Sequence, residues 1–171
     1  MNKKDQEELL AEFVLENKEK FYRLAYSYVK NEEDALDIIQ ESIHKALKGI
    51  HTLENSQALK SWFFRIVVNT SLDLLRKKKK EMVVDDYTIE FFSPKKNDTY
   101  ENVDLTRFLN ELPEKYRIVI ILKFFEDLKI REIAEVLNEK ENTIKTRLYK
   151  GLKMLRIEMN DISYMGGWYN G

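Results

Sequence analysis

The 171-residue sequence contains no cysteine, two prolines, five glycines and two histidines. The absence of cysteine excludes disulfides, thiolate metal sites and thiol nucleophiles. His44 and His51 are too few for a histidine-rich metal cluster. So few prolines and glycines leave few turn formers, and this composition favours a mostly helical structure.

Long apolar runs and a one-sided net charge are also missing. No apolar run approaches the length of a membrane-spanning helix, and the charged start MNKKDQEE lacks a signal-peptide core, so we expect a cytoplasmic protein. The net charge is −1, but charge is segregated, with acids between positions 32 and 41 and an uninterrupted basic run at 76–80. This pattern indicates one surface for a basic partner and another for an anion such as nucleic acid.

The most informative stretch is 128–156, which has apolar residues at helical spacing on either side of a short polar interval. Ala134 is small enough for two helices to cross closely. Asn138 tolerates the left-handed conformation that ends a helix, and Ile144 can fold back onto the first helix. This spacing predicts a helix-turn-helix.

The outward face of the second helix in this motif is basic and rich in hydrogen-bond donors. It carries Lys145, Thr146, Arg147, Tyr149 and Lys150. Such a face suits the phosphates and base edges of a DNA major groove. The alternative is a solvated amphipathic helix.

Apolar periodicity predicts five further helices, at 5–29, 31–47, 56–79, 105–112 and 113–125. We expect Asn31 and Ser56 to be N-caps, Pro113 to lie in a first helical turn, and Leu47 to face inward. The helix at 31–47 places Asp37, Gln40, Glu41 and His44 on one exposed face. Residues 84–104 lose all periodicity, which predicts a linker between two helical domains.

Three segments resemble the extracytoplasmic-function (ECF) sigma factors of bacterial RNA polymerase, which belong to the sigma-70 family. They are DALDIIQESIHKAL, SWFFRIVVNTSLDLLRKKKK, and LNELPEKYRIVIILKFFEDLKIREIAEVL with the following NTIKTRLYKGLKMLR. Residues 21–80 resemble sigma region 2, and residues 105–156 resemble sigma region 4. The family usually has glycine and then an apolar residue in the helix-turn-helix turn, where this chain has Asn138 and Glu139.

The resemblance implies an all-α protein of two small helical domains joined by a flexible linker, the second domain containing the helix-turn-helix. The expected boundaries are 1–83 for region 2, 84–104 for the linker, 105–158 for region 4 and 159–171 for a tail. It also implies promoter-specific transcription initiation without catalysis, cofactor, metal or small-molecule substrate. The implied partners are core RNA polymerase, through its beta-prime and beta subunits, promoter DNA, and a membrane-linked anti-sigma factor.

The resemblance assigns three sets of site residues. The polymerase-binding set is Asp34, Asp37, Gln40, Glu41 and His44. The −10 DNA-binding set is Thr52, Leu53, Glu54, Asn55, Ser56, Lys60, Phe64, Arg65, Asn69, Lys77 and Lys78. The −35 DNA-binding set is Lys129, Arg131, Thr143, Lys145, Thr146, Arg147, Tyr149 and Lys150.

Two other functions fit parts of the sequence. A helix-turn-helix repressor or activator that is not a polymerase subunit would leave the acidic helix and the 61–80 helix unexplained, and would normally be a dimer on palindromic sites. A metal-dependent nuclease would use Asp34, Asp37 and Glu41, but lacks a supporting histidine or second acidic cluster.

Overall fold

The computed structural model describes residues 2–82 and 103–160, and in those residues every regular element is helical. The helices are α1 (Lys3–Val29), α2 (Glu32–Gly49), α3 (Leu59–Met82), α4 (Val103–Glu111), α5 (Glu114–Ile120), α6 (Ile130–Leu137) and α7 (Glu141–Asn160). Two 3-10 turns, Ile50–Thr52 and Ser56–Ala58, lie between α2 and α3, and a π-helical turn, Ile121–Phe125, continues α5. The all-α prediction is confirmed.

The chain divides into two compact units. The first contains α1–α3, and the second is built on α4, α5 and α7 with residues 130–134 of α6. The predicted linker at 84–104 lies outside the described residues except for 103 and 104, which begin α4. The predicted tail also lies outside them, apart from residues 159 and 160, which end α7.

The ends of α1 and α2 are fixed by side-chain and backbone caps. Lys30 ends α1 in the left-handed region, at φ 57°, and its N–H donates to the Tyr26 carbonyl. The Asn31 side chain then accepts a hydrogen bond from the N–H of Asp34, at 2.8 Å. Asn31 is therefore the N-cap of α2, as predicted, and the acids that follow lie at the positive end of the helix dipole.

The core of the first unit is an aromatic cluster shared by α1 and α3. The Phe21 ring lies 4.5 Å from the Phe63 ring and 5.0 Å from the Phe64 ring, centroid to centroid, and all three side chains are buried. Phe13 packs against Phe21 at 5.5 Å. Because such tilted aromatic pairs add to the free energy of apolar burial, this cluster fixes α3 against α1.

The core of the second unit is the continuous segment formed by α5 and the π-helical turn. Ile118, Val119, Ile120 and Leu122 are buried there. At the crossing of α5 and α7, a Cβ built on Gly151 would lie 3.0 Å from Cδ1 of Ile120. Glycine at this position therefore allows α7 to approach α5 closely.

Several local predictions were wrong. Pro113 precedes α5 as its N-cap residue, and its carbonyl accepts from the N–H groups of Tyr116 and Arg117. Ser56 does not cap α3, because Asn55 caps a separate 3-10 turn that contains Ser56. Leu47 is 42% exposed rather than inward.

Candidate functional site

The predicted polymerase-binding face of α2 is exposed at four positions. Asp37, Gln40, Glu41 and His44 are all solvent-exposed, and helical spacing places them on one side of α2. Both carboxylates point to solvent, which leaves their charge available to a partner.

Asp34 differs from the rest of that set because it is held inside the first unit. Its side chain is 14% exposed and forms an ion pair with Lys78 of α3. The Asn31 amide also donates to it, at 2.7 Å. Burial would raise the pKa of Asp34, but the hydrogen bonds from Lys78 and Asn31, together with the Lys78 charge, bring the pKa below its ordinary value. Asp34 is therefore a structural anion that joins α2 to α3.

Two exposed leucines flank the acidic face, a feature that the sequence reasoning missed. Leu36 is 48% exposed and Leu47 is 42% exposed. Leu36, Gln40, His44 and Leu47 follow the i, i+4, i+8, i+11 spacing of one helical stripe. An acidic face with apolar ends suits a protein partner that offers both cations and apolar side chains.

The loop between α2 and α3 is short and internally hydrogen-bonded. The Thr52 hydroxyl donates to the Gly49 carbonyl at 2.7 Å, and the Asn55 side chain accepts from the Gln57 N–H at 2.9 Å. Leu53 is half-buried, whereas Glu54 and Ser56 are exposed. The loop therefore has a defined conformation that presents polar side chains to solvent.

Along α3 the predicted −10 residues divide between surface and core. Arg65 and Asn69 are exposed, and Lys60 is half-buried. Phe64 is 1% exposed and packs on Phe21, so its assignment as a DNA contact is wrong. The helix turns this ring towards α1, and a base could reach it only if the core opened.

The basic run at the end of α3 also divides. Lys77 is exposed, as are Lys79 and Lys80. Lys78 pairs with Asp34 across 44 positions of sequence. Its assignment as a phosphate contact stays a prediction, because the Lys78 side chain is 42% exposed but already pairs with one carboxylate.

The helix-turn-helix has the predicted geometry. Asn138 adopts the left-handed conformation, at φ 53°, and the N–H of Glu139 donates to the Ala134 carbonyl at 3.0 Å. Ile144 is completely buried. The unusual turn sequence is therefore accommodated, because asparagine adopts positive φ at little cost and Glu139 lies at the surface.

The outward face of α7 contains four of the eight predicted −35 residues. Tyr149 is 72% exposed, and Lys145, Thr146 and Lys150 are also exposed. Thr146 donates its hydroxyl hydrogen to the Asn142 carbonyl, at 2.9 Å. An exposed tyrosine between basic residues combines a stacking surface with phosphate-binding groups.

The other four members of the −35 set have different surroundings. Arg147 is half-buried, and its Nη2 lies 3.0 Å from Oε1 of Glu139. Thr143 is half-buried in the first turn of α7. Lys129 and Arg131 are exposed at the start of α6, where the Lys129 N–H donates to Glu132 at 3.0 Å.

A basic cleft of about 350 Å³ lies between the start of α5 and α7. Its lining includes Lys115, which no sequence pattern had marked, and the α7 residues Thr146, Arg147 and Lys150. Only the packing of α5 against α7 brings Lys115 to this face, so a motif search along the sequence could not find it.

The described residues contain no group of three or more histidine, aspartate or glutamate side chains placed to hold a metal ion. Asp34, Asp37 and Glu41 therefore do not form the site that a metal-dependent nuclease needs. Among the same residues, no helix combines the length and apolar character required to cross a membrane.

Models of two protein families match the chain. The sigma-70 region 2 model matches residues 13–81, and the sigma-70 region 4 model matches residues 102–155. Together they cover most of the chain, in the order that the sequence segments predict.

Individual proteins agree with the family models. The chain is 55% identical to RNA polymerase sigma factor SigV of Bacillus subtilis over 151 residues, 88% of this chain and 91% of the relative. It is 30% identical to the ECF RNA polymerase sigma factor SigW of the same organism, covering 94% of each. The fold matches sigma factor RpoE from Bartonella quintana, solved with the anti-sigma factor NepR, with a TM-score of 0.76 at 23% identity over 89% of this chain and 96% of that one.

Proposed function

The chain belongs to the sigma-70 family and is an ECF sigma factor, and from this premise we propose which of its surfaces bind polymerase and which read the promoter. In this proposal residues 1–83 form region 2, residues 84–104 connect the regions, and residues 105–158 form region 4. The chain acts as a regulatory subunit and not as an enzyme, in the cytoplasm where its polymerase works.

The exposed face of α2 binds core RNA polymerase in this proposal. The observation that supports it most strongly is the combination of Asp37 and Glu41 with the exposed apolar side chains of Leu36 and Leu47. Acids attract a basic partner helix, and the leucines supply apolar area that only a protein surface can bury. The proposed partner surface is the basic coiled coil of the beta-prime subunit, and the beta subunit completes the holoenzyme.

The loop at 51–57 and the adjacent surface of α3 read the −10 element in this proposal. Support comes from the exposed polar groups of Glu54 and Ser56 and from Arg65 and Asn69 on the neighbouring helix. Polar groups on a fixed loop can hydrogen-bond the edge of an unstacked base, and Lys77 can hold a nearby phosphate. Phe64 is left out of this set.

The basic face of α7 reads the −35 element in this proposal. Lys145, Tyr149 and Lys150 are exposed along the helix that follows the turn, which is the helix that enters the major groove in helix-turn-helix proteins. Lys129 and Arg131 at the start of α6 lie where that motif contacts the DNA backbone.

An anti-sigma factor that covers these surfaces is the proposed inhibitor. One solved structure with this fold is a complex of that kind: the sigma factor RpoE with the anti-sigma factor NepR. We expect the partner of this chain to be linked to the membrane.

Gel filtration with core RNA polymerase, followed by run-off transcription, tests the function. We expect the chain to co-elute with core polymerase and to direct initiation at a defined promoter, while core polymerase alone gives no specific start. A chain that binds duplex DNA as a dimer and ignores core polymerase would instead be a helix-turn-helix regulator.

A further inference from the structure

The basic cleft between α5 and α7 has the chemistry of an anion site. Three cations line it: Lys115 from α5, and Arg147 and Lys150 from α7. Asn142 and Thr146 add polar side chains, and no acidic residue is among the lining side chains. Three positive charges around one small volume favour a compact anion over a neutral ligand.

Lys115 is held at the mouth of this cleft by a neighbouring ring. Its ammonium nitrogen lies 4.9 Å from the centroid of the Tyr116 ring, and the residue is exposed. A cation over an aromatic face keeps its charge while losing some of its freedom of movement. Lys115 therefore presents a partly ordered charge beside the helix that carries the −35 reading face.

The charge of Arg147 is partly neutralised by a nearby acidic side chain. Glu139 approaches it from the helix-turn-helix turn, with Oε1 3.0 Å from Nη2. A guanidinium group has five N–H donors, and this bond uses one of them. Glu139 thus lowers the positive potential of the cleft while leaving Arg147 able to donate to a second anion.

We propose that the cleft binds one backbone phosphate of the DNA beside the −35 element. In this proposal Lys115 is a positioning residue, and the negative charge of Glu139 limits the affinity of the cleft for the phosphate. The proposal rests on the function proposed above, because the cleft shares Thr146 and Lys150 with the base-reading face of α7. A phosphate contact carries no sequence information but fixes how deeply and at what angle a helix enters the groove.

Salt titrations of holoenzyme binding to a duplex that ends upstream of the −10 element test the proposal. Each phosphate that a protein neutralises contributes about 0.9 to the slope of log affinity against log salt concentration. We expect Lys115→Ala to weaken binding roughly three- to tenfold and to reduce the slope by up to about 1, equally for all −35 sequences. Lys115→Arg should restore both.

Arg107→Ala is the matched control. Arg107 is an exposed cation over the ring of the residue that follows it, Phe108, at 5.1 Å, but it is not part of the cleft. Its removal should change neither affinity nor slope. Equal effects of Lys115→Ala and Arg107→Ala would overturn the proposal.

Glu139→Gln provides a test in the opposite direction. This change removes the charge but keeps the acceptor, so we expect promoter affinity to rise about two- to fivefold at low salt. Glu111→Gln removes the same charge from an exposed position at the end of α4 and should have no effect. Unchanged affinity in Glu139→Gln would contradict the limiting role of Glu139.

A scan with neutral methylphosphonate linkages identifies the anion. One linkage beside the −35 element should weaken binding by the wild-type chain but not by Lys115→Ala. Free inorganic phosphate in the cleft would give no such position, and that result would overturn the assignment to DNA. If the wild-type chain has no −35 preference at all, the proposed function fails; if it has one but no linkage depends on Lys115, only the cleft proposal fails.

Discussion

Asp34 and Lys78 form an ion pair that joins the first turn of α2 to the last turns of α3. The two residues are 44 positions apart, and each lies in a segment whose charge suggested an intermolecular role. Because their charges satisfy one another, the acidic face of α2 begins at Asp37, and the basic run on α3 has Arg76, Lys77, Lys79 and Lys80 as its exposed members.

We expect Asp34→Asn to lower the free energy of unfolding of the first unit by about 1 kcal/mol at neutral pH, because it leaves Lys78 without its counter-ion. The pKa of Asp34 is lower in the folded state. The stabilisation is therefore fully present above the unfolded-state pKa of about 4 and disappears as pH falls through the lower folded-state pKa.

Urea unfolding at a series of pH values measures this effect. The difference between wild type and Asp34→Asn should be constant above about pH 5 and shrink below about pH 4. Lys78→Met should destabilise the unit to a similar extent, whereas Lys79→Met, at an exposed neighbouring position, should not. Equal stability of both lysine variants would show that the ion pair contributes nothing.

The burial of Phe64 gives a second prediction. Phe64→Ala should lower the free energy of unfolding by about 3–4 kcal/mol, because it leaves a cavity beside Phe21. Leu15→Ala is the control, since Leu15 is 68% exposed on α1 and its loss should cost less than about 0.5 kcal/mol. A stable Phe64→Ala variant with an altered −10 preference would return Phe64 to the DNA-binding set.

The close approach of α7 to α5 at Gly151 gives a third prediction. An added methyl group would lie 3.1 Å from Cβ of Tyr116, so Gly151→Ala must displace α5 or α7 and should destabilise the second unit by about 1 kcal/mol. Gly49→Ala should be neutral or slightly stabilising, because its methyl group would lie 3.5 Å from the Trp62 ring in ordinary contact. Hydrogen exchange of the α5 and α7 amides would detect the difference, and unchanged protection in Gly151→Ala would contradict it.

Charge reversal on the acidic face of α2 gives a fourth prediction. Asp37→Lys with Glu41→Lys should weaken co-elution with core polymerase at least about tenfold, because two like charges would face a basic partner. Glu12→Lys with Glu16→Lys reverses two exposed acids at the same spacing on α1 and should bind normally. Both variants should keep wild-type helicity by circular dichroism. Full polymerase binding by a folded Asp37 and Glu41 variant would remove α2 from the docking surface.

Features governed by local chemistry could be predicted from the sequence. Asn31 caps α2 because its side chain reaches the N–H of Asp34, and Asn138 ends α6 because asparagine tolerates positive φ. The exposed face of α2 also followed from helical spacing alone. Each of these features depends only on residues that are close together in the sequence, so the sequence alone is enough to predict it.

Features that depend on packing between distant segments could not be predicted. Trp62, Phe63 and Phe64 are consecutive aromatic residues, and only the position of α1 decides which of them are buried. The partner of Lys78 comes from another helix, and Lys115 lies beside the basic residues of α7 only because α5 packs against α7. The π-helical turn has no sequence signal that we can identify; its i→i+5 hydrogen bond, from Glu126 to Ile121, accompanies a Phe124 that is 48% exposed.

Run-off transcription from a promoter library, randomised at both elements, tests the central claim that each region reads its own element. Replacing residues 51–57 with the loop of another ECF sigma factor should change the selected −10 bases and leave the −35 bases unchanged. Tyr149→Ala should change the selected −35 bases and leave the −10 bases unchanged, because the exposed Tyr149 ring lies on α7 and not in the loop at 51–57. The account would be contradicted if the loop exchange changed the selected −35 bases. It would also be contradicted if neither variant changed the bases selected at either element.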